Sequence, residues 1–269
     1  MKKETRETIR AIEALGDPVT AAHSQRFFKT GIGEYGEGDL FLGIRVPVIR
    51  AEARKFLRRR AEAQADRAGK AAGRRQTDRA GKAAGRTQAD MADLDIALEL
   101  LSSKWHEIRL FALLVMVEKY AKGDEDLRKE IYEAYLANAY RVDNWDLVDL
   151  SAYRIVGPWL EGRSRRPLYV LAGSDDLWER RIAIMSTFHF IRKNDFTDAL
   201  AIAEILLRDG HDLIHKAVGW MLREVGNRDG AAEREFLGRH YRDMPRTMLR
   251  YAIERFPEKE RITWLKGEV

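Results

Sequence analysis

The sequence predicts an all-α protein, an α-solenoid built from stacked antiparallel helix pairs. Three observations carry that prediction. Apolar residues recur at helical spacing along most of the chain. Two-residue alternation, the mark of half-buried strands, is scarce. Asp or Thr often precedes a periodic run and Gly often follows it. Successive helices joined by short turns stack in this way. The helix pairs share no strong sequence repeat, so the prediction rests on pattern rather than self-similarity.

Taken in order, the opening "MKKETRETIRAIEALG" spreads charge throughout and lacks the continuous apolar core of a secretory signal. "HSQRFFKT" reads as helix. "GIGEYG" (Gly31–Gly36) has the G-x-G-x-x-G spacing of a dinucleotide loop, but that loop needs a preceding strand and a following helix N-terminus. Here a helical pattern precedes it, and Glu34, Glu37 and Asp39 would repel phosphate, so it reads as a flexible loop. Residues 62–90 contain "DRAGKAAGR" twice, at Asp66–Arg74 and Asp78–Arg86, with almost no large apolar side chain. Such a segment cannot bury a core face and reads as a flexible or partly helical insertion. A tolerated surface expansion is the favoured role, with a nucleic-acid tether as the alternative. "LDIALELLSSKWHEIRLFALLVMVEKYA" places Ile96, Leu100 and Leu101 on one face, then Ile108, Ala112, Leu113 and Met116 on another. "DLRKEIYEAYLANAY", "WERRIAIMSTFHFI", "FTDALAIAEILLRDG" and "DLIHKAVGWMLREVG" each read as helix. The whole of 1–269 is expected to form a single repeat domain carrying the 62–90 insertion.

Composition narrows the functional classes. Apolar residues make up 45% and charged residues 34% of the 269, as expected of a soluble globular chain. There is no apolar run of about 18 residues that could cross a membrane. Cysteine is absent, which removes disulfides, thiolate metal sites and cysteine nucleophiles together. The formal charge is +5 and the pI near 9.3. Residues 62–90 hold seven bases against four acids, so +3 of that charge sits in the insertion. "HDLIH" sets His211 and His215 at i, i+4, a zinc-compatible spacing, but Asp212 stands where the zinc-protease motif has Glu and no third ligand follows. Two partly exposed histidines is the favoured reading.

One constellation remains. In "NWDLVDLS" (Asn144–Ser151), Trp145 and Asp149 fall one helical turn apart on one face, with Asp146 about 100° round, free to cap or to be solvated. "WERRIAI" adds Trp178, Arg180 and Arg181. "KAVGWMLRE" sets Lys216, Trp220 and Arg223 on one face, with Gly219 beside the indole allowing close approach. Each tryptophan alone would be read as core. Three successive elements offering Trp with Arg, Lys or Asp suit a nucleic acid better. Basic groups grip phosphates, indoles pack on sugars or bases, and a carboxylate among them can meet a positive centre.

"NWDLVDLSAYRIVG", "WERRIAIMSTFHFIRK", "IHKAVGWMLREVGNRD", "LFLGIRVPVIR" (Leu40–Arg50) and "MPRTMLRYAIERF" together resemble the AlkD-type DNA alkylation repair proteins. These are 3-methyladenine/7-methylguanine DNA glycosylases built from HEAT-like helical repeats. The resemblance covers roughly residues 20–60 and 92–256 and has no counterpart for the insertion. It implies a basic concave face for double-stranded DNA, with no cofactor, no metal and no lyase lysine. Residue by residue, it implies that Trp145 and Trp220 wall the lesion sugar and that Asp149 is the electrostatic catalyst. Arg181 then holds the backbone, with Arg180, Lys216, Arg223 and Phe27 as further DNA contacts. Phe27 stands where some members have Tyr, and Asn144 replaces an aromatic found in others. The expected protein is a cytoplasmic monomer, acting without a membrane. A non-catalytic binder of damaged or branched DNA is the alternative, and a HEAT-type protein-binding scaffold a more distant one.

Overall fold

The computed structural model describes residues 1–72 and 79–269, with side chains described outside 67–87. All regular structure among the described residues is helical, apart from an isolated parallel bridge between Leu40 and Trp105. The all-α prediction therefore holds. The chain divides into two compact units, Met1–Leu147 and Val148–Val269.

The first unit contains α1 (Lys3–Glu13), α2 (Pro18–Phe27), α3 (Val46–Ala72), α4 (Arg79–Leu101), α5 (His106–Lys122) and α6 (Glu125–Ala137), and ends in the first turn of α7 (Trp145–Trp159). Its centre is α5, buried without a break from His106 to Val117, because "LFALLVMV" leaves no polar face to turn outward. Helices α3, α4 and α6 pack on it. The apolar residues assigned above to the faces of α4 and α5 are all buried. A buried carboxylate, Asp93, ties three of these helices together through Arg60 of α3 and Lys119 of α5. Of the 62–90 insertion, the backbone up to Ala72 belongs to α3 and that from Arg79 to α4. Residues 73–78 of the insertion, expected to be flexible or partly helical, lie outside the described residues.

The second unit holds the rest of α7, then α8 (Arg166–Ala172), α9 (Leu177–Ser186), α10 (Phe188–Ile191), α11 (Thr197–Ile205), α12 (Asp212–Gly226), α13 (Gly230–His240), α14 (Arg246–Ala252) and α15 (Glu258–Lys266). Here α12 is central, packed against α9, α13 and α14. Gly219 permits its contact with α14: a Cβ there would lie 2.5 Å from the Met248 carbonyl oxygen and 2.5 Å from the Tyr251 Cβ. The close approach foreseen beside Trp220 is therefore that of a neighbouring helix.

Helix starts follow the capping chemistry read from the sequence. Asp17, Asp124, Asp176 and Asp229 each accept a backbone N–H in the first turn of α2, α6, α9 and α13. Some boundaries differ from the prediction: in "DLRKEIYEAYLANAY" the α-helix ends at Ala137, and a 3-10 turn follows at Ala139–Arg141. "WERRIAIMSTFHFI" is two helices, broken at Thr187, because the Ser186 and Thr187 hydroxyls donate to the carbonyls of Ile182 and Ile184 and compete with the helical ladder. Among the described residues no helix is long and apolar enough to cross a membrane.

Candidate active site

In the first unit, the loop after α2 and the first turn of α7 are built around α5. The Glu107 carboxylate accepts the N–H groups of Leu42, Gly43 and Ile44 at 2.8, 2.8 and 3.1 Å. This fixes the "LFLGI" segment. Gly43 is required there: its φ is +81°, and a Cβ would lie 2.2 Å from the Asp17 carbonyl oxygen. In "GIGEYG", the carboxylates of Glu34 and Glu37 accept the N–H groups of Gly31 and Gly33. The N–H groups of two loop glycines are thus taken by carboxylates, which would repel a phosphate.

Trp145 opens α7, with its backbone N–H capped by the Asn144 side chain at 2.9 Å. Its indole stacks on Phe28 at 5.1 Å, and Phe28 stacks in turn on Phe41 at 4.8 Å. The exposed Phe27 meets the indole edge-on at 6.0 Å. Trp145 is thereby held by rings while remaining half-buried.

Asp146 neither caps the helix nor is solvated, contrary to the sequence expectation. It is buried, and Oδ2 lies 2.9 Å from His106 Nε2. The other ring nitrogen of His106 lies 2.8 Å from Asp39, which also receives Arg109 at 3.0 Å and Asn144 at 3.2 Å. Arg109 pairs further with Asp143 at 3.0 Å. Burial alone would drive the His106 pKa down, but the two carboxylates overcome it and push it up to about 9. Burial works against ionisation of Asp39 as well, and the His106 and Arg109 charges outweigh it, holding its carboxyl below the usual range. Asp143 is raised, because burial outweighs the Arg109 charge beside it and the Asp39 carboxylate adds to the rise. His106 is thus an imidazolium clamped between Asp39 and Asp146. Sequence reading missed this group. The available signal was "HEIR", three polar residues within four at the head of an otherwise apolar helix.

In the second unit, Asp149 and Arg181 form a side-on pair. Arg181 Nε and Nη2 donate to the two Asp149 oxygens at 2.9 and 2.8 Å, and Nη1 donates to the Leu213 carbonyl. Arg181 is 4% exposed, and the Asp149 side chain keeps 13%. The fork engages both carboxylate oxygens and fixes their plane, while the Asp149 side chain stays partly exposed. Arg181 is therefore enclosed and faces Asp149 rather than solvent.

The other sequence-predicted cations also have acidic partners. Arg180 pairs with Asp209 at 2.6 Å and donates to the carbonyls of Ser174 and Asp175. Lys216 pairs with Asp212 at 2.7 Å, and Arg223 with Glu254. Trp220 is half-buried, as are Lys216 and Arg223 on the same face of α12, and its Nε1 donates to Glu224 at 3.2 Å. Trp178 belongs to the core. Each member of the "HDLIH" pair is occupied: His211 caps α12 by accepting the Leu213 N–H, and His215 contacts the Asp209 carbonyl.

The DNA alkylation repair enzyme family matches residues 8–72 and 69–256 of this chain. Among solved structures, the chain is similar to a predicted DNA alkylation repair enzyme from Enterococcus faecalis, at a TM-score of 0.62 and 14% identity, covering 90% of this chain and 97% of that one. That likeness shows the fold. No curated protein gives a significant match. Matched over nearly its whole length, the chain belongs to the DNA alkylation repair enzyme family.

Proposed function

We propose that the protein is a monofunctional DNA glycosylase that hydrolyses the N-glycosidic bond of cationic N3- and N7-alkylated purines in duplex DNA. The observation that carries the reading is Asp149, held in a fixed plane by Arg181 and still partly exposed to solvent. An N3- or N7-alkylated purine already bears positive charge. When the C1′–N bond breaks, its electron pair returns to the ring and the base departs neutral, so no general acid is required. Positive charge then develops on the sugar. A carboxylate beside it stabilises that charge, and preorganised charge of this kind is usually the largest catalytic contribution. Water adds to C1′, and its proton passes to Asp149 or to solvent.

In this reading Trp145, one helical turn before Asp149, and Trp220 pack against the deoxyribose, where an indole face favours a developing cation. Arg181 acts through Asp149: its fork sets the carboxylate plane. Arg180, Lys216 and Arg223 reach phosphate only by exchanging a protein carboxylate for it. The chemistry asks for no metal and no amine nucleophile.

A second reading, a non-catalytic binder of damaged or branched DNA, is favoured by one observation. Asp149 already has a full counter-charge in Arg181, which weakens its pull on a sugar cation. Single-turnover release of 7-methylguanine from a defined duplex separates the two. Release by the wild type, with a loss of about 100-fold or more in Asp149→Asn and DNA binding retained, supports the glycosylase. No release by the wild type with binding intact leaves the binder.

A further inference from the structure

Asp149 has a neighbour that the family-derived site does not include. Tyr153 lies four residues on along α7, so the two share a helix face. The Tyr153 ring meets Phe188 edge-on at 5.3 Å, and Phe188 lies 6.4 Å from Trp220. Three rings from α7, α10 and α12 thus form a row from the turn after Asp149 to the indole already assigned to the site. All three residues are half-buried.

Guanidinium groups border this row. Arg154 lies over Tyr153 at 5.1 Å, while Arg192 and Arg228 lie over Phe188 at 5.9 and 6.0 Å. Arg228 is also held by Glu224. Arg154 donates to the Tyr153 hydroxyl at 2.7 Å. Among the described residues, neither Arg154 nor Arg192 has a carboxylate partner, in contrast to Arg180, Arg181, Lys216 and Arg223. The distinction has chemical consequences. An arginine in a salt bridge must lose its carboxylate before it can take a phosphate. One resting on a ring keeps its charge and the edge of its N–H fork, already partly ordered.

We propose that this ring row is a backbone-binding site for a DNA strand, with Arg154 and Arg192 on successive phosphates and the Tyr153 and Phe188 rings beside deoxyribose. Cations already occupy the ring faces, which suits a sugar-phosphate chain better than a stacked base. The site rests on the proposed DNA substrate, but it needs no catalysis and reads no sequence.

The test is the salt dependence of binding to an undamaged, fluorescently labelled duplex, followed by anisotropy across a range of KCl concentrations. Arg154→Gln and Arg192→Gln should each reduce the log–log slope by about 0.9, and the double variant by about twice that. Arg192→Lys should restore the slope, since a point charge still neutralises a phosphate. Phe188→Leu should weaken binding by about two- to fivefold with the slope unchanged, as expected for a sugar contact rather than a charge. Lys259→Gln, which removes an exposed cation on α15, controls for net charge and should leave the slope alone. Thermal melting of each variant keeps folding defects apart from binding defects, and the exposed Arg192 carries the test should Arg154→Gln fold poorly. Slopes equal to wild type in both arginine variants would overturn the proposal, even if the wild type releases 7-methylguanine. A reduced slope in a protein that releases no base would leave this site standing and remove the glycosylase.

Discussion

Two carboxylates three residues apart on α7 meet opposite environments. Asp146 faces a buried imidazolium, which a second carboxylate, Asp39, holds from the other side. Asp149 faces a guanidinium that clasps both its oxygens, yet stays partly exposed. The ingredients are alike: one acid, one cation, direct hydrogen bonds. What separates the two is access. An enclosed pair can only hold structure in place, and removing one member strands the other charge in a low dielectric. A pair that stays partly exposed can still act on a visiting charge. In "WDLVD" the two acids lie only about 60° apart round one helix, so their partners rather than their spacing separate them.

The largest expected effect tests the enclosed half. His106→Ala leaves Asp146 buried without its cation and Asp39 with Arg109 alone, and should cost about 3–5 kcal/mol of stability, read from urea unfolding. If the variant is as stable as wild type, the imidazolium clamp is not a structural element. The paired test exchanges the two acids. Asp149→Asn should lower base release by about 100-fold or more. Asp146→Asn should lower the unfolding midpoint while leaving release from the folded fraction within about threefold of wild type. Loss of release in Asp146→Asn at full stability would mean that the enclosed carboxylate takes part in the reaction. Arg181→Lys sharpens the same contrast. It keeps the charge and loses the fork, so release should fall by roughly tenfold if the orientation of Asp149 matters, since misplacement by about 1 Å can cost that much or more.

A smaller effect, spread over pH, follows from the buried groups. His106 is raised to about 9, so the stability its clamp contributes is complete below pH 6.5 and disappears as pH rises through about 9. Glu233 of α13, buried with one oxygen lacking a hydrogen-bond partner, is raised by desolvation to about 8 and acts in the same direction between about 4.5 and 8. Unfolding free energy should therefore decline from mildly acidic to alkaline pH, by about 1.4 kcal/mol per pH unit for each group within its window. Glu233→Gln should flatten the lower window and leave the upper one. A stability curve that rises from pH 6.5 to 9 would contradict both assignments.

The sequence was most informative where a single helix decides the outcome. Helical spacing placed the apolar faces of α4 and α5 and the shared face of Lys216, Trp220 and Arg223, and an acid before an apolar run marked the helix starts. What spacing could not supply was the partner brought by another element. Nothing in "WDLVD" indicates that Asp146 meets His106, which lies forty residues earlier, or that Asp149 meets Arg181, thirty-two residues later. The cations were legible as residues but not as ion pairs, because Asp209, Asp212 and Glu254 neutralise them through tertiary or local contacts that a charge count does not order. The helix break at Thr187 was missed for a similar reason. A hydroxyl that turns back onto its own backbone leaves the apolar periodicity intact.

The smallest expected effect lies at the rim of the aromatic stack. Phe27 is 58% exposed and touches Trp145 with its edge, while Phe28 beneath it does the stacking. Some members of the family carry Tyr at this position. Because the ring is already placed by its contacts with Phe28 and the indole, Phe27→Tyr adds a hydroxyl in solvent without disturbing the packing. A hydrogen bond from that hydroxyl to a phosphate adds about 0.5–1.5 kcal/mol, so DNA affinity should rise by roughly two- to tenfold. The thermal midpoint should not change, and release at saturating enzyme should stay the same, since the contact is equal in ground and transition states. A gain in affinity would place the Trp145 end of α7 at the DNA surface. No gain, with Trp145→Phe equally silent, would confine Trp145 to the same structural part as Asp146 and leave Asp149 as the first functional residue of the helix.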